Sequence, residues 1–238
     1  MCEKAVDFLL KYVKDIDSEK KKMQPSYDLW EENEGIHAYS LASIYAAFEA
    51  LLEMYEILTP SFENNRIKLE KMRNDSKEIR EYELKVKEYI TKNLYSTEKN
   101  SFIRNKDGKI DISLLGLTYP FNVFSPKEKK ITNTIEKINL TLRTYTGGYL
   151  RYEGDRYMGG ANPWVISNLW LANYYLETGE NKKAKACFDF VVTTSLENGM
   201  LAEQIDNKTM KPAWVYGLGW SHAMFIITLE KLLAKGLI

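Results

Sequence analysis

Apolar positions recur at helical spacing along most of this chain, and two kinds of helix alternate. Residues 3–16 set Val6, Leu9, Leu10 and Val13 on one face and Asp7, Lys11 and Lys14 on the other, which predicts a one-sided surface helix. Residues 36–58 differ. Leu41, Ile44, Tyr45, Phe48, Leu51, Leu52, Tyr55 and Leu58 form the stripe, and Ala42, Ser43, Ala46, Ala47 and Ala50 fill the gaps. A helix apolar or small nearly all round is buried on most sides, and Pro60 is expected to end this one. Residues 63–94 return to a charged, one-sided pattern through Ile79, Tyr82, Val86 and Tyr89.

The alternation continues. Asp107-Gly108 between two β-friendly runs predicts a hairpin, and residues 111–119 a short buried helix. Ile131, Ile135, Ile138 and Leu142 mark an outer helix, with Ser125-Pro126 read as its cap and first residue. Ile166, Leu169, Trp170, Asn173 and Leu176 mark an inner helix stopped near Gly179. Ala184, Phe188 and Val191 mark its polar-backed partner, and Phe225, Ile226, Leu229 and Leu233 a last inner helix over 219–235. Three long segments, 17–35, 144–163 and 198–219, each enter an inner helix. In an array of antiparallel helix pairs such loops collect at one end, and long structured loops usually carry function. No Pro/Ser-rich linker divides the chain, so residues 1–238 read as one domain.

Composition narrows the function. Lys+Arg and Asp+Glu balance at 33 each, which argues against a nucleic-acid partner. No apolar run is long enough to span a bilayer, so no membrane partner is expected. With only Cys2, Cys187, His37 and His222, neither a disulfide framework nor a metal site suggests itself. The expectation is a cytoplasmic chain without cofactor or metal, in which both histidines pack or cap. The 16 tyrosines and five tryptophans tilt the reading slightly toward carbohydrate, because aromatic faces stack on sugar rings.

The chemistry sits on the three loops. "DLWEENEGIH" supplies Asp28, Trp30, Glu31 and Glu32, the middle loop Arg151, Asp155, Arg156 and several tyrosines, and "LAEQID" supplies Glu203. A buried aromatic beside adjacent carboxylates lowers the local dielectric and makes their ionisation costlier, which suits a site needing a protonated acid. Two separated carboxyls flanking a bond are what glycoside hydrolysis needs. Taken singly, each of these features is also what an ordinary surface would show.

Together they resemble a family. "DLWEENEGIHAYS", "DGKIDISLLGLTYPF", "LRYEGDRYMGGANPWVISNLWLANYYLETGE", "GMLAEQID" and "GLGWSHA" are similar, in order and spacing, to segments of glucoamylase- and glucodextranase-type glycoside hydrolases of family 15. The resemblance implies an all-α fold, an (α/α)6 barrel with inner helices ringed by outer ones. It also implies release of glucose from the non-reducing ends of α-glucans with inversion. By position, Glu31 resembles the general acid and Glu203 the general base. Glu32 resembles a sugar-hydroxyl ligand, and Arg151 the arginine that binds the terminal glucose. Trp30 and the Asn162-Pro163-Trp164 segment resemble pocket-building elements.

For such a pair the carboxyls are expected roughly 6.5–9.5 Å apart, with Glu203 ionised on a wet loop. About eight helices are present, as antiparallel inner/outer pairs, so the barrel is incomplete. The family's first helix pairs, with an Arg-Asp pair that grips glucose, would lie before Met1. Impaired activity is therefore expected, as is association as a homodimer or with a chain that supplies the missing helices. A carbohydrate-binding remnant without chemistry, or a helical-array interaction module, is the alternative. The linkage, α-1,4, α-1,6 or that of trehalose, stays open.

Overall fold

The computed structural model describes residues 2–238, with side chains described from Lys4 onward. Seven α-helices carry the fold: α1 (Cys2–Val13), α2 (Ala38–Leu58), α3 (Arg66–Asn93), α4 (Lys129–Leu142), α5 (Val165–Thr178), α6 (Asn181–Thr193) and α7 (Gly219–Ala234). The run at 111–119 is helical but of the tighter 3-10 kind, over Ile112–Leu117. It therefore brings the helices of the array to eight, besides a single 3-10 turn at Thr59–Phe62 after α2. All-α architecture in inner/outer pairs thus holds. Helix α2 packs on α3, α5 on both α6 and α7, and α4 on the 3-10 segment, while α1 lies against α2 and α3.

Inner and outer helices differ as their patterns require. Eleven of the fourteen residues of α5 are buried, whereas α3 buries only Met72, Ile79, Val86 and Ile90 of its 28. Helix α5 stops at Gly179, which takes the left-handed conformation (φ 80°) that a residue with a side chain resists. Helix α4 starts later than expected: Glu128 flanks its first turn, and Ser125-Pro126 makes the turn before it, with the Glu128 amide donating to the Ser125 carbonyl. No helix among the described residues is long and apolar enough to cross a membrane.

Three short antiparallel hairpins decorate the array: β1 (Ser26–Tyr27) with β2 (Glu34–Gly35), β3 (Tyr95–Ser96) with β4 (Ser101–Phe102), and β5 (Ala202–Ile205) with β6 (Pro212–Tyr216). Asp107-Gly108 does form a turn, closed by the Arg104 amide on the Lys109 carbonyl, but the flanking residues pair elsewhere, Phe102 with Tyr95 and Asp111 with Tyr152. The segment 198–219, expected as a loop, holds the longest hairpin. Its tip is tied by Asp206, whose Oδ1 accepts the Lys208 and Thr209 amides at 2.9 and 2.7 Å. The β1–β2 hairpin, residues 149–152 and the β5–β6 hairpin all lie ahead of inner helices, and they meet through Arg151 on Glu32 and Trp164 against Gln204.

Candidate active site

Arg151 is where these loops meet. Beyond α4, Thr144 and Gly148 close a tight turn (N–O 2.8 Å), and residues 149–152 pass between two elements with a bend at Arg151. The Ile112 amide donates to the Arg151 carbonyl at 2.7 Å, and the Trp164 amide to the Tyr149 carbonyl at 2.8 Å. This stitch turns Arg151 inward. Its side chain is 3% exposed. Nε and Nη2 donate to the two Asp155 oxygens, each at 2.9 Å, a fork-on-fork pair. Nη2 also reaches Glu32 Oε1 at 3.0 Å. Aromatic rings surround the charge: Trp164 at 4.3 Å, Tyr157 at 4.8 Å and Trp30 at 5.2 Å from the guanidinium carbon. Burial alone would favour proton loss, but the Asp155 and Glu32 carboxylates outweigh it and hold Arg151 charged more firmly than a free arginine. Tyr152 completes the clamp, its hydroxyl donating to Glu32 Oε2.

The acid segment is the tip of the β1–β2 hairpin, shaped by Asp28. Asp28 Oδ1 accepts the Trp30 and Glu32 amides at 3.1 and 3.0 Å, and Oδ2 accepts Asn33 Nδ2 at 2.9 Å. Three consecutive residues are thereby sent three ways. Trp30 goes inward, Glu32 reaches across to Arg151, and Glu31, with φ at 59°, stands exposed. The expectation that Trp30 would bury the acid beside it is thus corrected. The indole points away, into a cluster with Trp164, Trp170 and Trp220 at centroid distances of 6.0, 6.0 and 5.9 Å.

Beneath Trp30 lies a layer that pattern reading missed. Trp30 Nε1 donates to Asp111 (3.1 Å to Oδ2), which also caps the 3-10 segment through the Ser113 amide at 2.8 Å. Arg104 Nη1 approaches Asp111 and Asp28 at 3.6 and 3.9 Å, and Arg104 pairs fully with Asp107 at 2.7 Å. Burial pushes the Asp111 carboxyl up to about 6, against the pull of Ser113, Arg104 and Trp30. The cap signal was present in "DIS", an aspartate just ahead of an apolar run. Nothing in one sequence joins Trp30 to a residue 81 positions later.

Glu203 lies on β5, half-buried, and not on a wet loop. Gln204 beside it is fully buried, bridges to Trp164, and accepts Asn162 Nδ2 at 3.1 Å. The strand therefore sits directly over the Arg151 stitch. Burial raises the Glu203 pKa, Gln204 and Arg151 pull it down, and Asp155 adds repulsion. Of the residues singled out in sequence, Trp30, Glu32, Arg151, Asp155 and Trp164 form one contiguous cluster, with Glu203 coupled to it electrostatically and Glu31 at its edge. His222 is a strap. Its Nε2 accepts the Leu201 amide at 3.2 Å and its Nδ1 faces the Leu218 carbonyl at 3.0 Å, fixing the hairpin to α7. His37 is buried against Asn33 and Asn105, and burial lowers its pKa.

Comparison with known proteins gives the family and the fold. Residues 6–230 match the sequence model of the glycosyl hydrolases family 15. An uncharacterized glycosyl hydrolase of Methanocaldococcus jannaschii is 33% identical over 219 residues, 85% of this chain and 33% of that protein. Trehalase 1 of Sulfolobus acidocaldarius is 27% identical over 154 residues, 64% of this chain and 26% of that protein. Among solved structures, a glycosidase in complex with glucose superposes with a TM-score of 0.76 at 20% identity, covering 96% of this chain and 58% of that one. The glucoamylase of Saccharomycopsis fibuligera superposes with a TM-score of 0.74 at 13% identity, covering 95% of this chain and 59% of that one. The chain belongs to glycosyl hydrolase family 15. It spans a third or less of the length of the curated relatives named here.

Proposed function

We propose that this chain carries the acid, the base and the sugar-binding arginine of an inverting α-glucosidase. The observation that carries the reading is the clamp on Arg151. A rigid, charged guanidinium on an aromatic floor binds sugar hydroxyls without paying for its own ordering. Glu32, held by Arg151 and Tyr152, offers the matching acceptors. Glu203 serves as the base: burial raises its pKa, which makes it a stronger proton acceptor for water than an ordinary carboxylate, and the Arg151 charge opposes that rise. Glu31 donates to the leaving oxygen. Its exposure means that the described residues do not supply the desolvation this role asks for, so turnover by residues 1–238 alone is expected to be slow.

Relatives at 27% and 29% identity are trehalases, whereas the S. fibuligera glucoamylase is similar chiefly in fold. That favours trehalose as a substrate to test beside α-glucan oligosaccharides. Glucose release from trehalose and from maltotriose should be followed by NMR, which resolves the anomer formed. Release of β-glucose, lost in Glu203→Gln and in Glu31→Gln, supports the reading. Turnover that survives Glu203→Gln, or that releases glucose only as the α-anomer, overturns it.

A further inference from the structure

Outward of Arg151 lie large, partly exposed side chains that the proposed chemistry does not use. Tyr157, Met158 and Trp214 are 40%, 54% and 43% exposed. Met158, with φ at 37°, and Trp214 both hold a positive φ, and of the three only Trp214 lies in a strand. In the β5–β6 register Ala202 faces Tyr216 and Gln204 faces Ala213. The single residue Glu203 is therefore opposed by two, Trp214 and Val215, which is a β-bulge. Trp214 holds φ at 63°, the left-handed conformation that this kind of bulge usually gives to glycine. The chain has put its largest side chain where the backbone prefers none. Core packing does not explain the choice, because the ring is half in solvent. Bulges recur beside functional sites because they re-aim a side chain.

The re-aimed indole bridges two parts of this group. A Cβ built on Gly159 would lie 3.8 Å from Trp214 Cζ2, so the ring edge rests against the loop that carries Tyr157 and Met158. Tyr157 in turn packs on Trp164 at 5.8 Å, above Arg151. An aromatic surface thus runs from the arginine that binds one sugar to the strand paired with that of Glu203, and it is still open to solvent at its outer end. The apolar C–H face of a pyranose ring fits an open indole face.

We propose that Trp214 is a stacking platform for a second sugar ring, the one bonded to the ring held by Arg151, and so sets the preference for oligosaccharide over glucose. The proposal rests on the sugar-site reading of the Arg151 cluster. Covering about 50 Å² of indole is worth about tenfold in affinity.

Calorimetric titration of the chain with glucose, trehalose and maltotriose tests it. Trp214→Ala should weaken trehalose and maltotriose about tenfold, leave glucose unchanged and keep the helical circular dichroism. Trp214→Phe, which preserves an aromatic face, should recover most of the loss. If the unaltered chain binds no saccharide, the inference and the site reading fall together. If it binds, and Arg151→Lys weakens all three saccharides while Trp214→Ala weakens none, the inference alone falls. Equal weakening of all three by Trp214→Ala, or a change only in self-association, overturns it as well.

Discussion

At the scale of single residues the site is governed by two buried charges with unlike surroundings. Arg151 has two carboxylate partners and a ring of aromatic faces. Lysine cannot reproduce the fork on Asp155 together with the reach to Glu32. Arg151→Lys is therefore expected to cost about 3 kcal/mol, seen as a lower urea midpoint with unchanged slope. Asp111 is the opposite case, a carboxyl whose burial outweighs its partners. Its folded-state value of about 6 lies above the unfolded range near about 3.9, so the folded state holds the proton more tightly. Stability from this group is complete below pH ~4 and declines as pH rises through about 6. Asp111→Asn should remove that slope, so the stability difference between wild type and variant should change across pH 4–6. Because Trp30 donates to this carboxyl, wild-type tryptophan fluorescence should titrate around pH 6 and the variant's should not.

Secondary-structure elements were legible to differing depth, and the reason is physical. Inner and outer helices announce themselves because a stripe three to four residues apart is a local signal that burial enforces. Gly179 as a stop and Pro60 as an end are local as well. The β5–β6 hairpin was not legible. Its strands alternate poorly around a bulge, and a tryptophan occupies the position where glycine would have signalled one. The site was legible as a set of residues on three loops. Its wiring was not, since Trp30 to Asp111 and Arg151 to Glu32 are pairings that only the packed array brings together. Tight approach between elements is equally silent in sequence. Gly148 lies where a Cβ would come within 2.5 Å of both Phe190 and Pro163. Gly148→Ala should push α6 from the 144–148 turn and cost about 2 kcal/mol, measured by thermal or chemical denaturation.

For the whole molecule, the last inner helix is unlike the inner helix before it. Helices α5 and α7 are both strongly apolar, yet α7 buries only Ser221, Thr228 and Leu232, and leaves Ile226, Ile227 and Leu233 exposed. An inner helix with an open flank is an adhesive surface. Light scattering on residues 1–238 should show association that rises with concentration, and Ile226→Lys with Ile227→Lys should lower the mean mass without shifting the circular dichroism.

The stitch through Arg151 has a consequence for motion. The tip of the first hairpin reaches it through Glu32. The third loop reaches it through Trp164, whose neighbour Pro163 accepts the Ile205 amide at 2.9 Å. Neither loop can open far without disturbing the same guanidinium. Deuterium uptake at the amides of Trp30 and Glu32 and at that of Ile205 should therefore rise in step as denaturant is added, as one cooperative opening and not two. In Arg151→Lys the two sets should uncouple, the acid-bearing tip exchanging first. The chain would then keep its helices and the Glu203 strand in place while the tip that carries Glu31 and Glu32 comes loose from it.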